Sequence, residues 1–118
     1  MIKLENGQTV YVVGEAWRYE DYIARVYYKV FKCKVDLVPR EGLREYRVVS
    51  QSKPLKLFFR PRGQIHLTYA EALEVAKAEA DKEDERNNMY GIKARVYRPW
   101  ERMENVRQTP SGQLQRAL

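Results

Sequence analysis

The sequence predicts an α+β fold: a small, strongly bent antiparallel sheet, or a partly open barrel, of five or six strands, followed by one helix and a late strand. Several short stretches alternate apolar and polar residues, which is typical of half-buried strands, and turn-forming residues separate them. A capping box precedes an alanine-rich stripe at helical spacing in residues 68–80. Residues 92–97 then alternate once more.

The first predicted element is a β-hairpin with its turn at Asn6-Gly7. Both residues tolerate the positive φ that a type I′ turn requires. The arms of this hairpin are Met1–Leu4 and residues 8–13. The following stretch, Gly14–Asp21, is predicted as a connector.

The segment Tyr22–Val38 is predicted as one long strand whose apolar side changes partway. Its even-numbered residues are apolar up to Val30, and its odd-numbered residues are apolar from Phe31 onward. Such a change arises where a β-bulge turns the later side chains over, where both faces are covered, or where one face is a binding surface. We place a bulge near Val30-Phe31. A tight turn near Tyr28-Lys29 is the alternative, although no Gly, Asn, Asp or Pro supports it.

Three further strands are predicted before the helix, in residues 43–50, 55–60 and 65–67. The turn residues of Pro39–Gly42 and Pro61–Gln64 separate them. The helix is predicted from Thr68 to Asn87, because Thr68 and Glu71 form a capping box. Its apolar stripe is short and mostly alanine, which allows close approach to a sheet.

The predicted domain spans residues 1–100. Its last element is a strand or a docking arm in residues 92–97, which Pro99 ends. Residues 101–118 are polar and basic with few apolar anchors. We expect this tail to be disordered or to be ordered by a partner.

Length and charge narrow the class of protein. A chain of 118 residues suits one modest hydrophobic core. The net charge is +6, distributed as +6 in residues 1–70, −4 in 71–86 and +4 in 87–118, which favours acidic partners. One cysteine excludes an internal disulfide. Neither a secretory signal nor an apolar run of ~20 residues is visible, so we expect a cytoplasmic protein without a membrane partner.

Few residues offer catalytic chemistry. His66 is the single histidine, and neither Ser50 nor Ser52 has the context of a nucleophile. Cys33 lies between two lysines but shares its parity with apolar neighbours, which favours a buried, inert thiol. The acidic residues of 71–85 lack the spacing of calcium or zinc sites, and no glycine-rich nucleotide loop occurs. We therefore predict no enzymatic activity, no metal and no cofactor.

Cations interleaved with aromatic residues on the predicted strands are the candidate binding residues. Small barrels that bind nucleic acid use such a surface, in which cations contact phosphates and aromatic rings stack on bases. The same cations can also serve only to keep exposed strands from aggregating. The predicted basic binding residues are Arg25, Lys29, Lys32, Lys34, Arg44, Arg47, Arg60, Arg62, Arg95 and Arg98.

The sequence HLTYAEALEVA (66–76), with VYVV and YIARVYYKVFKCKV as strands, resembles small proteins encoded by bacteriophages and mobile elements. These proteins have an SH3-like β-barrel followed by a helix that opens with a Leu-Thr-x-x-Glu-Ala motif. The resemblance covers about residues 8–80, and it carries no catalytic residues to transfer. It implies a stoichiometric accessory protein in the host cytoplasm. One role of such proteins is to block a host defence, for example as an anti-CRISPR inhibitor of an RNA-guided nuclease.

Three functional hypotheses follow from these observations, and the least favoured is a small enzyme that uses His66. In the first, the protein is a non-enzymatic phage-type binding protein that docks on a host protein or nucleoprotein through its basic β face. In the second, it binds DNA or RNA directly through the interleaved cations and aromatic residues.

Overall fold

Four strands and one long helix form the part of the chain that the structure, a computed structural model, describes: residues 3–102. The elements are β1 (Thr9–Glu20), β2 (Ile23–Leu37), β3 (Glu45–Ser50), β4 (Leu57–Pro61), a 3-10 turn (Arg62–Gln64) and α1 (Tyr69–Met89). The strands form one antiparallel sheet in the order β1-β2-β3-β4, curved as a half-barrel. The predicted α+β class and barrel-like sheet are confirmed. The prediction of five or six strands is wrong.

Three stretches predicted as strands do not form strands within residues 3–102. A turn does form at Asn6-Gly7, but it is not the predicted type I′ turn, because only Gly7 of the two has a positive φ. The side chain of Leu4, before this turn, is buried in the core instead of continuing a hairpin arm. Residues 65–67 make only one bridge, in which His66 and Tyr11 exchange backbone hydrogen bonds of 2.8 Å. Residues 92–98 contain no strand. Met1 and Ile2 lie outside the described residues, as does most of the predicted tail.

A long two-stranded ribbon replaces the predicted connector at Gly14–Asp21. Strand β1 continues to Glu20 and pairs with β2 without interruption from Thr9–Lys34 to Glu20–Ile23. The reversal lies at Asp21 and Tyr22, whose φ angles are 51° and 67°. A two-residue hairpin turn of this kind requires positive φ at both central positions, and tyrosine rarely adopts it. The sequence signal for this turn was therefore weak.

The change of apolar parity in β2 has a different cause from the predicted bulge. The pairing with β1 runs continuously through Val30 and Phe31, so neither a bulge nor a turn lies there. The register shift in β2 occurs later, between Val35 and Leu37, on the side that pairs with β3. Both faces of β2 are covered, but in different halves of the strand. Helix α1 packs on the outer side chains up to Val30, and the inner core holds the inner side chains from Phe31 to Val35. Lys32 and Lys34 remain exposed on the outer face.

The inner face of the half-barrel holds the main core. Pairing places Val12 beside Phe31, Val10 beside Cys33 and Val35 beside Val48. Leu4 and Ile65 pack against this face from outside the sheet. The inner core consists of Leu4, Val10, Val12, Phe31, Cys33, Val35, Tyr46, Val48 and Ile65.

Helix α1 covers part of the opposite, outer face. Thr68 caps it by accepting a hydrogen bond of 3.2 Å from the backbone N–H of Glu71, as the capping box predicts. Ala72, Ala76 and Ala80 are fully buried, so the small side chains allow the helix to lie close to the sheet. The second core contains Tyr28, Ala76, Ala80, Val96 and Trp100, with Val13 and Val30 at its margin.

An ion-pair cluster explains why the predicted late strand does not form. Arg98 is only 8% exposed, and its guanidinium donates to Asp81 (2.7 Å) and Asp84 (2.6 Å). Asp84 also accepts a hydrogen bond of 2.7 Å from the backbone N–H of Val96. Burial alone would lower the pKa of Arg98, but the two carboxylates outweigh this effect and raise it. The helix therefore uses side chains to hold the segment that the alternation predicted as a strand.

We expect Gly14→Ala to destabilise the fold. A Cβ at Gly14 would lie 2.7 Å from Cε2 of Phe31 and 2.9 Å from Cε1 of Phe58, so a core ring must move. Overpacking of this kind costs about 1–3 kcal/mol in the free energy of unfolding, measurable by urea denaturation. Gly63→Ala is the matched control, because a Cβ added at Gly63 would have no neighbour within 4 Å and the φ of Gly63 is not positive. Equal stability of both variants would contradict this packing.

We expect Arg98→Ala to destabilise the protein by about 2–3 kcal/mol, because it leaves Asp84 partly buried without its cation. Arg98→Lys keeps the charge but loses the forked geometry, so its loss should be intermediate. Arg95→Ala is the control. It removes the exposed pair with Glu101, and exposed pairs contribute little. Thermal unfolding of the three variants tests this order, and a smaller effect at Arg98 than at Arg95 would contradict it.

Candidate functional site

The outer face of the sheet has a part that no helix covers. Helix α1 packs near Val13, Tyr28 and Val30, and the described residues place no element over the outer side of β3 and β4. The cross-strand pairs define the side chains there, since directly paired residues share a face. We call this surface the outer sheet patch. It consists of Lys34, Leu37, Arg47, Val49, Leu57 and Phe59.

The β4 side of the outer sheet patch is apolar and exposed. Leu57 and Phe59 of β4 are 57% and 52% exposed, and Leu37 is also exposed. Val49, which pairs with both Lys34 and Leu57, is half-buried between them. Scattered apolar side chains are normal on a protein surface, but a contiguous patch with a polar border is typical of an interaction site.

The border of the outer sheet patch is basic. Residues 32–62 contain nine Lys and Arg but three Asp and Glu, so this segment alone carries +6, equal to the net charge of the whole chain. Lys32 and Lys34 share the outer face and are both exposed. Neither has an ion-pair partner among residues 3–102. Their charges are therefore available to an acidic partner.

The structure does not bring all ten predicted cations together. Lys32, Lys34 and Arg47 lie on the uncovered outer face, and Arg44 is exposed just before β3. Lys29 and Arg60 lie on the inner side of the sheet, where each contacts an aromatic ring, Phe31 and Phe58 respectively. The guanidinium of Arg62 donates to the backbone carbonyl of Ile65 (2.8 Å).

Four of the predicted cations are paired with carboxylates inside the molecule. Arg98 is buried against Asp81 and Asp84, so its prediction as a surface binding residue is corrected: it fastens the fold. The remaining pairs are Arg95 with Glu101, Arg47 with Asp36, and Arg25 with Glu20. Hydrogen bonds from Arg95 lower the pKa of Glu101. Arg47 meets Asp36 because the register shift between Val35 and Leu37 places that carboxylate beside β3.

The apolar part of the site was not predicted from the sequence. Leu55, Leu57 and Phe59 share one parity, with Lys56 and Phe58 between them, and this period predicts a strand with the three side chains on one face. The alternation identifies a shared face but does not say whether another layer covers it. The aromatic side chains exposed on the β1–β2 ribbon, namely Trp17, Tyr19 and Tyr22, were not predicted either.

His66 lines an open cleft of about 450 Å³ together with Glu15, Arg60 and Glu79. No serine, threonine or cysteine is among the described residues that line this cleft. Cys33 is fully buried in the inner core, and its neighbours Lys32 and Lys34 point to the opposite face. Within residues 3–102, no group of His, Cys, Asp and Glu is arranged to hold a metal ion.

Comparison with protein-family models, curated proteins and solved structures finds no significant match. The helical segments of residues 3–102 do not combine the length and the hydrophobicity that a bilayer crossing requires.

We expect Cys33 to resist a disulfide reagent such as Ellman's reagent at pH 8 in the folded protein and to react fully in guanidinium chloride. Burial raises the pKa of the Cys33 thiol to about 11, against 9.0 for an unperturbed thiol. Because the unfolded chain loses this proton first, the free energy of unfolding should fall as the pH rises from about 9 towards 11. Cys33→Ala should remove this contribution. Rapid labelling of the folded protein at pH 8 would contradict the buried position.

Proposed function

We propose that this protein is a non-enzymatic binding protein that attaches stoichiometrically to an acidic surface of a host protein or nucleoprotein through the outer sheet patch. One observation carries the proposal: Leu57 and Phe59 are half exposed on the β4 side of a face whose β2 side carries Lys32 and Lys34. If no partner bound this face, the protein would expose apolar surface and unpaired cations without any contact that stabilises them.

The composition of the patch favours a protein partner. Protein interfaces combine an apolar, often aromatic centre with a polar rim. The rim of this patch is positively charged, so an acidic partner surface would accelerate association and fix the orientation of docking. Nucleic acid would engage the cations but would leave Leu57, Val49 and Leu37 with little to pack against.

The resemblance of residues 8–80 to phage and mobile-element proteins makes the proposal more specific. In this more specific proposal, the partner is a protein or nucleoprotein of a bacterial host. An RNA-guided defence nuclease is one such nucleoprotein. Binding would then inhibit by occupying a surface that the host complex needs. No catalytic turnover is required for this mechanism, since each bound molecule blocks one partner.

Direct nucleic-acid binding is the second candidate function. Trp17 and Tyr19 are 61% and 79% exposed on the outer side of the ribbon, and aromatic side chains of this kind can stack on unpaired bases. However, residues 15–25 contain two cations, Arg18 and Arg25, against three carboxylates. Because its net charge is negative, this part of the ribbon attracts phosphates only weakly. The outer sheet patch is therefore the better candidate for the binding site.

The proposal predicts that Lys32→Glu/Lys34→Glu reduces capture of the partner from a bacterial lysate by at least about tenfold, because like charges then face an acidic surface. Lys82→Glu/Lys93→Glu is the control: it changes the net charge equally, at exposed positions outside the patch. The captured partner is identified by mass spectrometry, purified, and titrated to determine stoichiometry. Equal capture by both double variants would reject the patch as the site.

A second pair of variants tests the apolar residues of the patch. Phe59→Ser should weaken binding to the purified partner, whereas Tyr19→Ser removes an even more exposed aromatic ring from the ribbon and should leave binding unchanged. Nuclease treatment of the lysate separates the two candidate functions. Loss of capture after nuclease, together with a log K that falls by about 0.7–0.9 per contacted phosphate per decade of salt, would establish the nucleic-acid alternative instead.

A further inference from the structure

Strand β4 has a free edge whose backbone groups are not used by the sheet. The backbone N–H of Ser50 donates to the carbonyl of Lys56 (2.9 Å), which fixes the alternation of the antiparallel ladder. In such a ladder every second pair of opposed residues exchanges backbone hydrogen bonds, so the backbone groups of Phe58 and Arg60 are bonded to β3. Leu57 and Phe59 therefore direct their N–H and C=O groups away from the sheet.

These outward groups have few partners within residues 3–102. Among them, the carbonyl of Phe59 accepts a hydrogen bond of 3.0 Å from the guanidinium of Arg60, and no backbone bond joins either residue to another strand. Natural sheets commonly protect an edge with proline, lysine or a short strand. Here Pro61 ends the strand, but Leu57 and Phe59, whose backbone groups point away from the sheet, have exposed apolar side chains.

The side chains of β4 define what a neighbouring strand would need. On the outer face, Leu57 and Phe59 form an apolar row. On the inner face, the ammonium of Lys56, the residue just before β4, lies 5.2 Å from the ring of Phe31, and the guanidinium of Arg60 lies 5.2 Å from the ring of Phe58. An added strand that alternates apolar and acidic residues would match both faces, since directly opposed side chains interact across strands.

Other occupants fit this edge less well. A second copy of the chain pairing β4 with β4 would bring Lys56 and Arg60 towards the same residues of its partner, and opposed like charges are destabilising. Nucleic acid lacks the alternating amide donors and acceptors that an exposed ladder pairs with.

We propose that the β4 edge binds an extended segment of the partner protein as a fifth strand, with the apolar side chains of that segment on the outer face and its acidic side chains on the inner face. Backbone pairing of this kind supplies affinity, and the alternating side chains supply specificity. The inference rests on the proposed function and names the part of the partner that the outer sheet patch recognises.

A peptide library tests the partner chemistry. Its members are about eight residues long and alternate Val, Ile or Tyr with either Glu or Lys, which matches the length of strand that an edge can accept. Selection on the immobilised full-length protein should enrich Glu at the charged positions. Failure to enrich any member, or enrichment of Lys, would overturn the proposal.

The best peptide is then used to test the backbone pairing. Leu57→Pro and Leu57→Ala both remove the leucine side chain, but only proline removes the outward N–H, and that N–H is not part of the ladder with β3. We expect at least about tenfold weaker peptide binding for Leu57→Pro than for Leu57→Ala. Thermal unfolding of both variants checks that the fold persists. Equal affinities would overturn the edge as the site.

Amide hydrogen exchange of the unmodified protein gives a readout that does not depend on any variant. Bound peptide should slow exchange at Leu57 and Phe59, while Phe58 and Arg60 are already protected by β3. Unchanged exchange at Leu57 and Phe59 in the saturated complex would contradict the added strand, as would concentration-dependent protection without peptide, which indicates self-pairing. If Phe59→Ser still weakens binding to the purified host partner in either case, the proposed function holds and this inference alone fails.

Discussion

Strand β2 packs against two layers on opposite faces, with its outer side chains covered up to Val30 and its inner side chains buried from Phe31 to Val35, and the rest of the fold depends on this constraint. Its odd-numbered side chains from Phe31 to Val35 pack into the inner core, and Tyr28 and Val30 pack against helix α1 on the other side. A strand in this position needs apolar residues at both parities, and it must be covered by two separate layers. The curved sheet provides one layer, and the alanine face of the helix provides the other.

The second layer is incomplete, and this determines the exposed chemistry of the molecule. The helix crosses β1 and β2, so the outer side of β3 and β4 faces solvent. Side chains that would form the core of a full two-layer protein, such as Leu57 and Phe59, therefore remain on the surface. Basic residues of β2 and β3, namely Lys32, Lys34 and Arg47, lie on one side of them, and the free edge of β4 runs along the other. A partner could complete the missing layer, the missing strand, or both at once.

The charged residues divide into those that hold the fold and those that remain available. Asp84 is central to the first group, because its carboxylate receives both the guanidinium of Arg98 and the backbone N–H of Val96. This arrangement anchors the segment after the helix and also removes a cation from the surface. The end of the described chain therefore has less unpaired positive charge than its composition indicates. The unpaired cations lie instead on the outer face beside β3 and β4.

Local patterns in the sequence were enough to predict the class of fold, the long strand β2, the turns at Asn6-Gly7 and Pro39–Gly42, and the capped helix, because these depend on periodicity and on side chains within a few residues. They also identified Lys32 and Lys34 as exposed cations. Only the tertiary structure shows which apolar faces are covered, because the sequence around Leu57 would show the same period whether or not a helix packed on that face. Likewise, Arg98 is a buried ion-pair residue because Asp81 and Asp84, more than ten residues away in sequence, reach it in space. Such contacts between distant segments leave no local pattern, so the surface available to a partner could be assigned only once the helix and the sheet were seen together.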